Sequence, residues 1–566
     1  MYRYTLAYRF AGNSWIYWRP LTDHVTTFVQ VENAISIAWD PRSEQNLKAQ
    51  AFDFLNQLRA DPQAWTICLT IFTKTPKATE VIRFVSLEIV NNALQTHQIT
   101  ADNLRFLKDN LLDYTTRIYG SAGRQDELDS ASLQNKLTQT LTLIFSCSYG
   151  DAWQTFFDDI LTLTRRDGSS SMDNVVGINL YLRILASIHD EIADVLMARS
   201  NDETKRNVAL KDILRARDAG KVVQSWREML LTWRDRDDSI VEMCLKVIGK
   251  WVSWIDISLV VNQDNLIILL PLVGRSGPVG QEDKVRDAAI DCLTEITSKG
   301  MKPADKIDMI MFLNLSDIVL QLVGSPPLHD ARNTPQYDND LAEAVAKLVN
   351  VAVFDIVKVL EDASADDNTK QKANQLLETF IPLLLRFFAD EFDEICSAVI
   401  PSLTDTLTLF RKAQPLSPNF TAMLPPILNA IISKLRYDDS ADWGSEDTQT
   451  DEAEFQELRK RLQVLQKSAA AVDEPLYIDI VSNVVATRFE ALKQQGSSVD
   501  WRDLDLALHE MYLFGELALP NGGVHHKSAP NVVASERLEI MMKTMLSSGM
   551  SHLANITAEL FALLIT

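Results

Sequence analysis

The sequence predicts an all-α fold, an α-solenoid in which antiparallel helix pairs stack into a superhelical array. Apolar residues recur at helical spacing almost without a break from Val31 to the end of the chain. No stretch alternates apolar and polar residues as a strand would, and the 566 residues include only 19 glycines and 19 prolines. Pro382 and Pro425, each in an apolar context, lie 43 residues apart, which is one period of a HEAT-type helix pair.

The clearest helices lie between Ser239 and Met301. The first has apolar residues at spacings of three and four, at Ile240, Cys244, Ile248, Trp251 and Ile255. An apolar run from Leu266 to Val273 follows, and then a helix with Val285, Ala289, Cys292 and Ile296 on one face. Since each helix has one face to bury and the connections are short, the helices should stack as antiparallel pairs. Trp251 is predicted to be core, whereas Trp254 lies at the edge of the stripe and could face a partner.

Prolines add a finer prediction about where helices begin. Pro382, Pro401 and Pro425 each follow an apolar residue, and we predict that each lies at a helix start, where its missing N–H is not needed. With about 40–47 residues per pair, the array would hold on the order of a dozen repeats.

The formal net charge of −22 bears on the choice of partners. Phosphates need a positive surface, so any RNA site must be a local basic patch on an acidic body. Basic partners would suit the remaining surface. The five cysteines are scattered singly in apolar stripes, which predicts that most are reduced core residues, as in a protein of the cytosol or nucleus.

Motifs for catalysis, cofactors and membrane insertion are absent from the sequence. The glycines between Gly274 and Gly280 have the wrong spacing for a dinucleotide-binding loop and follow no predicted strand. His525 and His526 have no nearby cysteine or carboxylate partners in the sequence, which favours an exposed loop over a metal site. No apolar run reaches the ~18 residues of a membrane helix. We therefore expect no enzymatic activity, no cofactor and no membrane insertion.

Two charged segments could bind ligands. Residues 199–236 hold ten bases and six acids, a net charge of +4. Phosphate contact is one interpretation, and a solvated face with ion pairs one turn apart is the other. Residues 437–457 hold nine acids and could equally be a solvated loop.

Several stretches closely resemble the exportin-T family, the nuclear export receptors for transfer RNA in the importin-β superfamily. They are DPQAWTICL (residues 61–69), LYLRIL (180–185), CLKVIGKWVSWIDISLVV (244–261) and DCLTEITSKGM (291–301). The resemblance runs from about Glu32 to at least Met301. Further on, DEAEFQELRKRLQ (451–463) resembles the acidic insertion of several exportins.

The resemblance implies a division of the chain. Residues 1–30, which are aromatic and basic, precede it and are interpreted as a disordered extension or a gene-model error, although a mitochondrial presequence is an alternative. The remaining segments are N-terminal HEAT pairs that bind Ran (31–165), central exportin-1-like repeats (166–436), the acidic insertion (437–457) and further repeats that look truncated (458–566).

The resemblance also implies ligands and candidate contacts. The family binds mature tRNA together with the GTPase Ran in its GTP form. Predicted Ran contacts are Gln50, Asp53, Arg83, Asn91, Asp438, Asp439, Asp442, Glu446 and Asp447. Predicted tRNA contacts are Lys205, Arg206, Lys211, Arg215, Arg217, Lys221, Arg459, Lys460 and Arg461.

The expected function is a monomeric receptor that shuttles between nucleus and cytoplasm. It would bind tRNA cooperatively with Ran-GTP, pass the FG-repeat proteins of the nuclear pore and release tRNA after GTP hydrolysis. GTP would enter only as bound to Ran. Another importin-β-type receptor with protein or other RNA cargo, or a HEAT scaffold unrelated to transport, is the alternative. Because family members continue into a second arch that also grips tRNA, we expect the chain to be a fragment or a truncated gene model.

Overall fold

The computed structural model describes residues 7–9, 15–17, 28–120, 128–275, 282–329, 334, 336–439, 449–518 and 532–549. Two three-residue strands, β1 (Ala7–Arg9) and β2 (Trp15–Tyr17), pair antiparallel with Tyr8 opposite Ile16. All the other secondary structure in the described ranges is helical. Most of the predicted disordered leader lies outside the described residues, so the prediction for residues 1–30 stays a prediction.

The backbone divides into two compact units, residues 1–272 and 273–566. The helices of the first unit are α1 (Phe28–Trp39), α2 (Gln45–Ala60), α3 (Ala64–Thr73), α4 (Glu80–Gln95), α5 (Ala101–Tyr119), α6 (Ala131–Ser148), α7 (Phe156–Thr162), α8 (Val175–Ile192), α9 (Asn201–Arg217), α10 (Ala219–Trp233), α11 (Asp238–Val252), α12 (Ile257–Val260) and α13 (Gln263–Val273), which ends at the boundary. The segment boundaries predicted from the sequence are a different kind of division and stay predictions.

The second unit is also helical throughout its described ranges, with a 3-10 helix at Gly496–Ser498. Its α-helices are α14 (Lys284–Ser298), α15 (Pro303–Leu313), α16 (Leu315–Val323), α17 (Asn339–Glu361), α18 (Asp367–Phe388), α19 (Asp393–Lys412), α20 (Pro418–Lys434), α21 (Gln449–Val472), α22 (Glu474–Gln495), α23 (Trp501–Ala518) and α24 (Val532–Ser547).

Within each unit the helices form two rows. In the first unit α4, α6, α8 and α11 pack side by side, and α3 packs on α4 and on α5. In the second unit α14, α17, α19, α21 and α23 form one row, and α18, α20, α22 and α24 form the other. Helices of a row therefore contact the next helix of that row, and neighbouring helices along the chain, such as α3 and α4 or α17 and α18, pack as pairs. This is the stacking of HEAT-type pairs, in which neighbours bury a continuous core, and it confirms the predicted fold class.

The apolar stripes predicted between Ser239 and Met301 are buried. Ile240, Cys244, Ile248, Trp251 and Ile255 are all at most 6% exposed, and the four residues predicted on the face of the third helix, α14, are at most 2% exposed. Asp237 and Asp283 cap α11 and α14 by accepting hydrogen bonds from backbone N–H groups of the first turn. Four of the five cysteines are buried and Cys147 is exposed, which confirms the prediction for most of them.

The prediction that prolines begin helices is wrong at three sites. Pro382, Pro401 and Pro425 lie inside α18, α19 and α20. An interior proline costs about 3 kcal/mol, because its ring removes one hydrogen bond and crowds the preceding turn. Buried apolar neighbours such as Ile381 and Leu383 offset that cost by packing. Next to Pro401, the N–H of Ser402 instead donates to Asn350 Oδ1 on α17 at 3.0 Å.

Candidate ligand-binding surfaces

The basic segment of the first unit folds into α9 and α10, and its start is well defined. Ser200 and Glu203 form a reciprocal capping box, in which each side chain accepts from the other's backbone N–H. Helix α9 ends at Arg217, and Asp218 is both its C-cap and the residue that precedes α10. We call the predicted tRNA contacts on these two helices the α9–α10 basic surface: Lys205, Arg206, Lys211, Arg215, Arg217 and Lys221.

Asp218 stabilises the junction of α9 and α10 by pairing with two of these bases. Its buried carboxylate accepts from Tyr149 Oη at 2.7 Å, Arg217 Nε at 3.0 Å and Lys221 Nζ at 3.2 Å. Burial alone would raise the pKa of Asp218, but hydrogen bonds from Tyr149 and Arg217 outweigh it and the pKa is lowered. Lys221 also pairs with Asp158. Arg217 and Lys221 therefore have a structural role in joining the two helices.

Two further bases of the surface are also paired within the protein. Arg206 contacts Glu191 at 3.1 Å, and Arg215 contacts Asp212 at 2.8 Å. Arg215 Nε also donates to the backbone oxygen of Trp254 at 2.7 Å. These pairs fit the alternative of a solvated, ion-paired face.

Lys205 and Lys211 differ from the other four. The side chain of Lys205 is 82% exposed, and its Nζ is 4.0 Å from Asp202. Among the described residues Lys211 makes no ion pair. Burial and the positive charges of Arg215 and Arg199 lower the pKa of Lys211. Lys205 and Lys211 are therefore the two members whose charges are least neutralised by a close carboxylate, Lys205 on an exposed side chain and Lys211 on a half-buried one.

The prediction that Trp254 could face a partner is wrong. Its side chain is 8% exposed and its Nε1 lies 3.1 Å from His189 Nδ1. Its ring packs against that of Trp251 with centroids 4.8 Å apart. The edge of the apolar stripe is therefore covered by α8 of the same unit.

The four predicted Ran contacts of the N-terminal pairs divide into surface and core. Asp53 is exposed and Gln50 is half-buried, both on α2. Arg83 and Asn91, on α4, are each 3% exposed. Asn91 donates to Gln139 Oε1 on α6 at 3.2 Å. In this conformation Arg83 and Asn91 have no surface to offer a partner, because their side chains bind neighbouring helices.

Arg83 belongs to a buried polar cluster around Asp129, the residue just before the Ser130 cap of α6. Asp129 accepts from Arg83 Nη1 at 2.7 Å, Lys77 Nζ at 3.0 Å, and the hydroxyls of Tyr114 at 2.7 Å and Tyr119 at 2.8 Å. Burial would raise the pKa of Asp129, but the hydrogen bonds from Arg83 and Tyr114 and the charge of Arg83 together lower it. The cluster joins α4, α5 and the start of α6, and sequence reasoning missed it because its members share no motif.

The acidic segment is described only at its ends. Asp438 is half-buried, Asp439 is exposed, and Asp442, Glu446 and Asp447 lie outside the described residues. Arg436 contacts Asp439 at 2.8 Å, Asp500 at 2.8 Å and Asp503 at 3.0 Å. Arg502 donates to the backbone oxygens of Asp438 and Asp439 at 2.8 and 2.7 Å. The start of the segment is thus fixed to the first turn of α23.

The three remaining predicted tRNA contacts lie together on α21 but differ in exposure. Arg459 is 4% exposed, pairs with Asp505 on α23 and donates to the backbone oxygen of Leu435 at 2.7 and 2.9 Å. Lys460 is exposed and pairs with Glu457. Arg461 is exposed and donates to Ser397 Oγ on α19 at 2.9 Å. Only Lys460 and Arg461 therefore present their charges on the surface.

Neither a metal site nor a membrane-spanning helix is found in the described ranges. No three His, Cys, Asp or Glu side chains there are grouped so that they could hold a metal ion. No helix in the same ranges is both long and apolar enough to cross a membrane.

Comparisons with known proteins agree with the geometry. Residues 367–561 match the family model described as exportin-T, and residues 130–293 match the model of exportin 1-like proteins. The chain is 58% identical over 523 residues to an exportin-T of Chaetomium globosum, covering 92% of this chain and 51% of that protein. It is 60% identical over 522 residues to an exportin-T of Botryotinia fuckeliana, covering 92% and 50%.

A solved structure supports the fold. Importin 13 in its cytosolic state matches with a TM-score of 0.54 at 13% identity, over 82% of this chain and 53% of that one. The chain spans about half the length of the curated relatives it matches. Over the half of those relatives that it spans, the chain is therefore similar to exportin-T proteins at 58–60% identity.

Proposed function

We propose that this chain is a nuclear export receptor for tRNA that binds tRNA cooperatively with Ran-GTP and releases it in the cytoplasm after GTP hydrolysis. The identity of 58–60% to exportin-T proteins over 92% of the chain is the observation that carries the proposal. The receptor is proposed to act as a monomer, to shuttle through the pore by binding FG-repeat proteins, and to have no catalytic activity or cofactor of its own. Another importin-β-type receptor with different cargo, or a HEAT scaffold outside transport, is the alternative.

Cooperativity has a physical basis in the charges of the chain. With a net charge of −22, the chain repels RNA at long range. Five of the six bases on the α9–α10 basic surface are already paired with carboxylates, although the Lys205–Asp202 pair is exposed and 4.0 Å long. A second ligand that orders the helix pairs, or adds positive charge, would make the free energy of tRNA binding more favourable. Reciprocal coupling of this kind is typically about 1–3 kcal/mol.

The first prediction is that labelled tRNA binds at least tenfold more tightly when Ran-GTP is present than when it is absent. The measurement is a filter-binding titration at physiological salt, with Ran-GDP as the control. Tight binding of tRNA without Ran would contradict the proposal. A chain that binds Ran-GTP but binds no tRNA under any condition would also contradict it. The second outcome would favour the alternative of a receptor with other cargo.

The second prediction concerns Lys205 and Lys211, the two bases of the surface that are least neutralised by carboxylates. Replacing both by glutamate should weaken the complex with tRNA and Ran-GTP and reduce the slope of log affinity against log salt by about one for each phosphate that is no longer neutralised. The matched control replaces Lys493 and Lys543, exposed lysines of α22 and α24, by glutamate. Equal salt slopes for both double variants would show that Lys205 and Lys211 do not contact phosphate, and would favour the alternative of an ion-paired, solvated face.

Gln50 and Asp53 on α2, together with the acidic segment from Asp438 onward, are the proposed Ran contacts. They are supported by the family resemblance and, for Asp53 and Asp439, by exposure. Lys460 and Arg461 are the proposed tRNA contacts of the second unit, because their charges lie on the surface of α21.

A further inference from the structure

Glu510 of α23 is a carboxyl group in the core of the second unit, where α21, α22 and α23 pack together. Glu510, Gln466 of α21 and Tyr477 of α22 are each 0% exposed. Gln466 Nε2 lies 2.6 Å from Glu510 Oε2. The other carboxylate oxygen Oε1, the Gln466 oxygen Oε1 and the Tyr477 hydroxyl have no hydrogen-bond partner among the described residues. Three unsatisfied oxygens in one buried cluster are unusual and call for an explanation.

No cation forms an ion pair with Glu510 within the described part of the chain. On α21, Arg459 is paired with Asp505 and with the backbone oxygen of Leu435. On α22, Arg488 lies 3.5 Å from Asp503. On α23 itself, burial and the charge of Arg459 lower the pKa of His509 to about 3, so this histidine is neutral above that pH.

The remaining neighbour, α24, packs on α22 and α23 but supplies no charge to the core. Its charged side chains, Glu536, Arg537, Glu539 and Lys543, are all exposed. An ionised carboxylate at Glu510 would therefore be buried without a direct ion-pair partner. Only the charges of Arg459 and Arg488 and the hydrogen bond from Gln466 would favour it, and burial outweighs them.

Protonation of Glu510 would give one of the three oxygens, Gln466 Oε1, a hydrogen-bond partner. The O and N atoms of a glutamine amide can exchange places by a half-turn about the last side-chain bond. After that turn, the carboxyl O–H would donate to Gln466 Oε1, and 2.6 Å is a usual length for an O–H···O bond but short for N–H···O. The geometry of the cluster therefore fits a neutral carboxylic acid better than a carboxylate.

We propose that Glu510 is a proton-binding switch in the second unit: it is neutral when α21, α22 and α23 are closely packed, and loss of its proton to solvent loosens that packing. On ionisation the carboxyl O–H bond breaks, a buffer base takes the proton, and the carboxylate must recruit water or Arg488 to be stabilised. Either requires the three helices to separate locally.

The titration range of the switch follows from its surroundings. Burial raises the pKa of Glu510 from 4.5 to about 7, while the hydrogen bond from Gln466 and the charges of Arg459 and Arg488 oppose the rise. Since the folded pKa lies above the unfolded one, the folded state binds the proton more tightly, and stability is lost as pH rises between the two values. From pH 5.5 to 8, local opening should become about 10- to 100-fold more favourable.

The test is hydrogen exchange of the full chain from pH 5.5 to 8, corrected for the intrinsic pH dependence of exchange. Protection of the α21–α23 amides should fall about 10- to 100-fold in the native chain, while α4 amides of the first unit stay constant. In the Glu510→Gln variant, which is neutral at every pH, α21–α23 protection should not change with pH. A Glu490→Gln variant, which alters an exposed acid of α22, should behave like the native chain.

A second measurement separates ionisation from structural damage. The infrared difference spectrum between the native chain and Glu510→Gln should contain the C=O band of a protonated carboxyl at pH 6, and that band should be lost by pH 8. If Glu510→Gln does not fold, hydrogen exchange of the native chain still tests the proposal, because constant α21–α23 protection would contradict it. Constant α21–α23 protection between pH 5.5 and 8, or an equal loss in native and Glu510→Gln chains, would overturn the proposal.

Discussion

Replacing Asp129 by alanine will lower the free energy of unfolding of the first unit by about 3–5 kcal/mol, because it leaves the charge of Arg83 buried without its partner. The side chain of Asp129 is 0% exposed and that of Arg83 is 4% exposed. Asp129 also accepts hydrogen bonds from Tyr114 and Tyr119, whose hydroxyls would lose a buried acceptor. One substitution would thus disrupt the contacts that join α4 and α5 to the start of α6.

Denaturant unfolding combined with hydrogen exchange of α4, α5 and α6 measures this effect. The matched control is Asp109→Ala on α5, which removes an exposed acid that pairs with Lys108 and should change stability by less than about 1 kcal/mol. A double variant, Arg83→Met with Asp129→Ala, should recover part of the loss, since it leaves no unpaired buried charge. If Asp129→Ala is no more destabilising than Asp109→Ala, the cluster does not stabilise the fold.

The pH dependence has a definite sign. The pKa of Asp129 lies below its ordinary value of 3.8, so the folded state favours the ionised form. Its contribution to stability is therefore fully present above about pH 5 and is lost as the pH falls below 3.8 and through the folded pKa. The difference between native and Asp129→Ala chains should be constant from pH 5 to 8 and should shrink in acid.

Helical periodicity predicted the fold because burial in a stacked array depends on spacing within one helix. The stripe from Ile240 to Ile255 is buried as its spacing indicates. The proline positions misled the prediction because the cost of an interior proline is local, whereas the packing that offsets it is tertiary. Ser402 donates to Asn350 of another helix, and this contact has no counterpart in local sequence.

The candidate site was harder to predict than the fold because a charged residue looks the same in the sequence whether it is paired, buried or free. Arg459 and Lys460 are adjacent, yet one is 4% exposed with Asp505 as its partner and the other lies on the surface. Arg83 and Asp129 are 46 residues apart, so their pairing exists only once α4 and α6 stack. The sequence thus located the basic segment, but only the packing separates Lys205 and Lys211 from the bases that join helices.

Trp251 connects three helices of the first unit, and its replacement by alanine will cost about 3–5 kcal/mol. Its side chain is 0% exposed and its Nε1 donates to the backbone oxygen of Leu185 on α8 at 2.8 Å. Its ring packs edge-on against Trp226 of α10 and Phe157 of α7, with centroids 5.7 and 6.4 Å apart. Alanine would remove these interactions and leave a cavity where α7, α8 and α10 meet α11.

A phenylalanine at the same position separates packing from hydrogen bonding. Trp251→Phe keeps an aromatic ring but leaves the Leu185 oxygen without the indole N–H, so we expect a smaller loss of about 1–3 kcal/mol. Trp39→Ala, on a tryptophan that is 42% exposed, is the matched control and should cost less than either. Denaturant unfolding of the three variants at one pH measures their free energies of unfolding and so gives the order of the three losses. If Trp251→Phe is as stable as the native chain, the hydrogen bond to α8 adds nothing; if Trp251→Ala is no worse than Trp39→Ala, Trp251 does not join these helices.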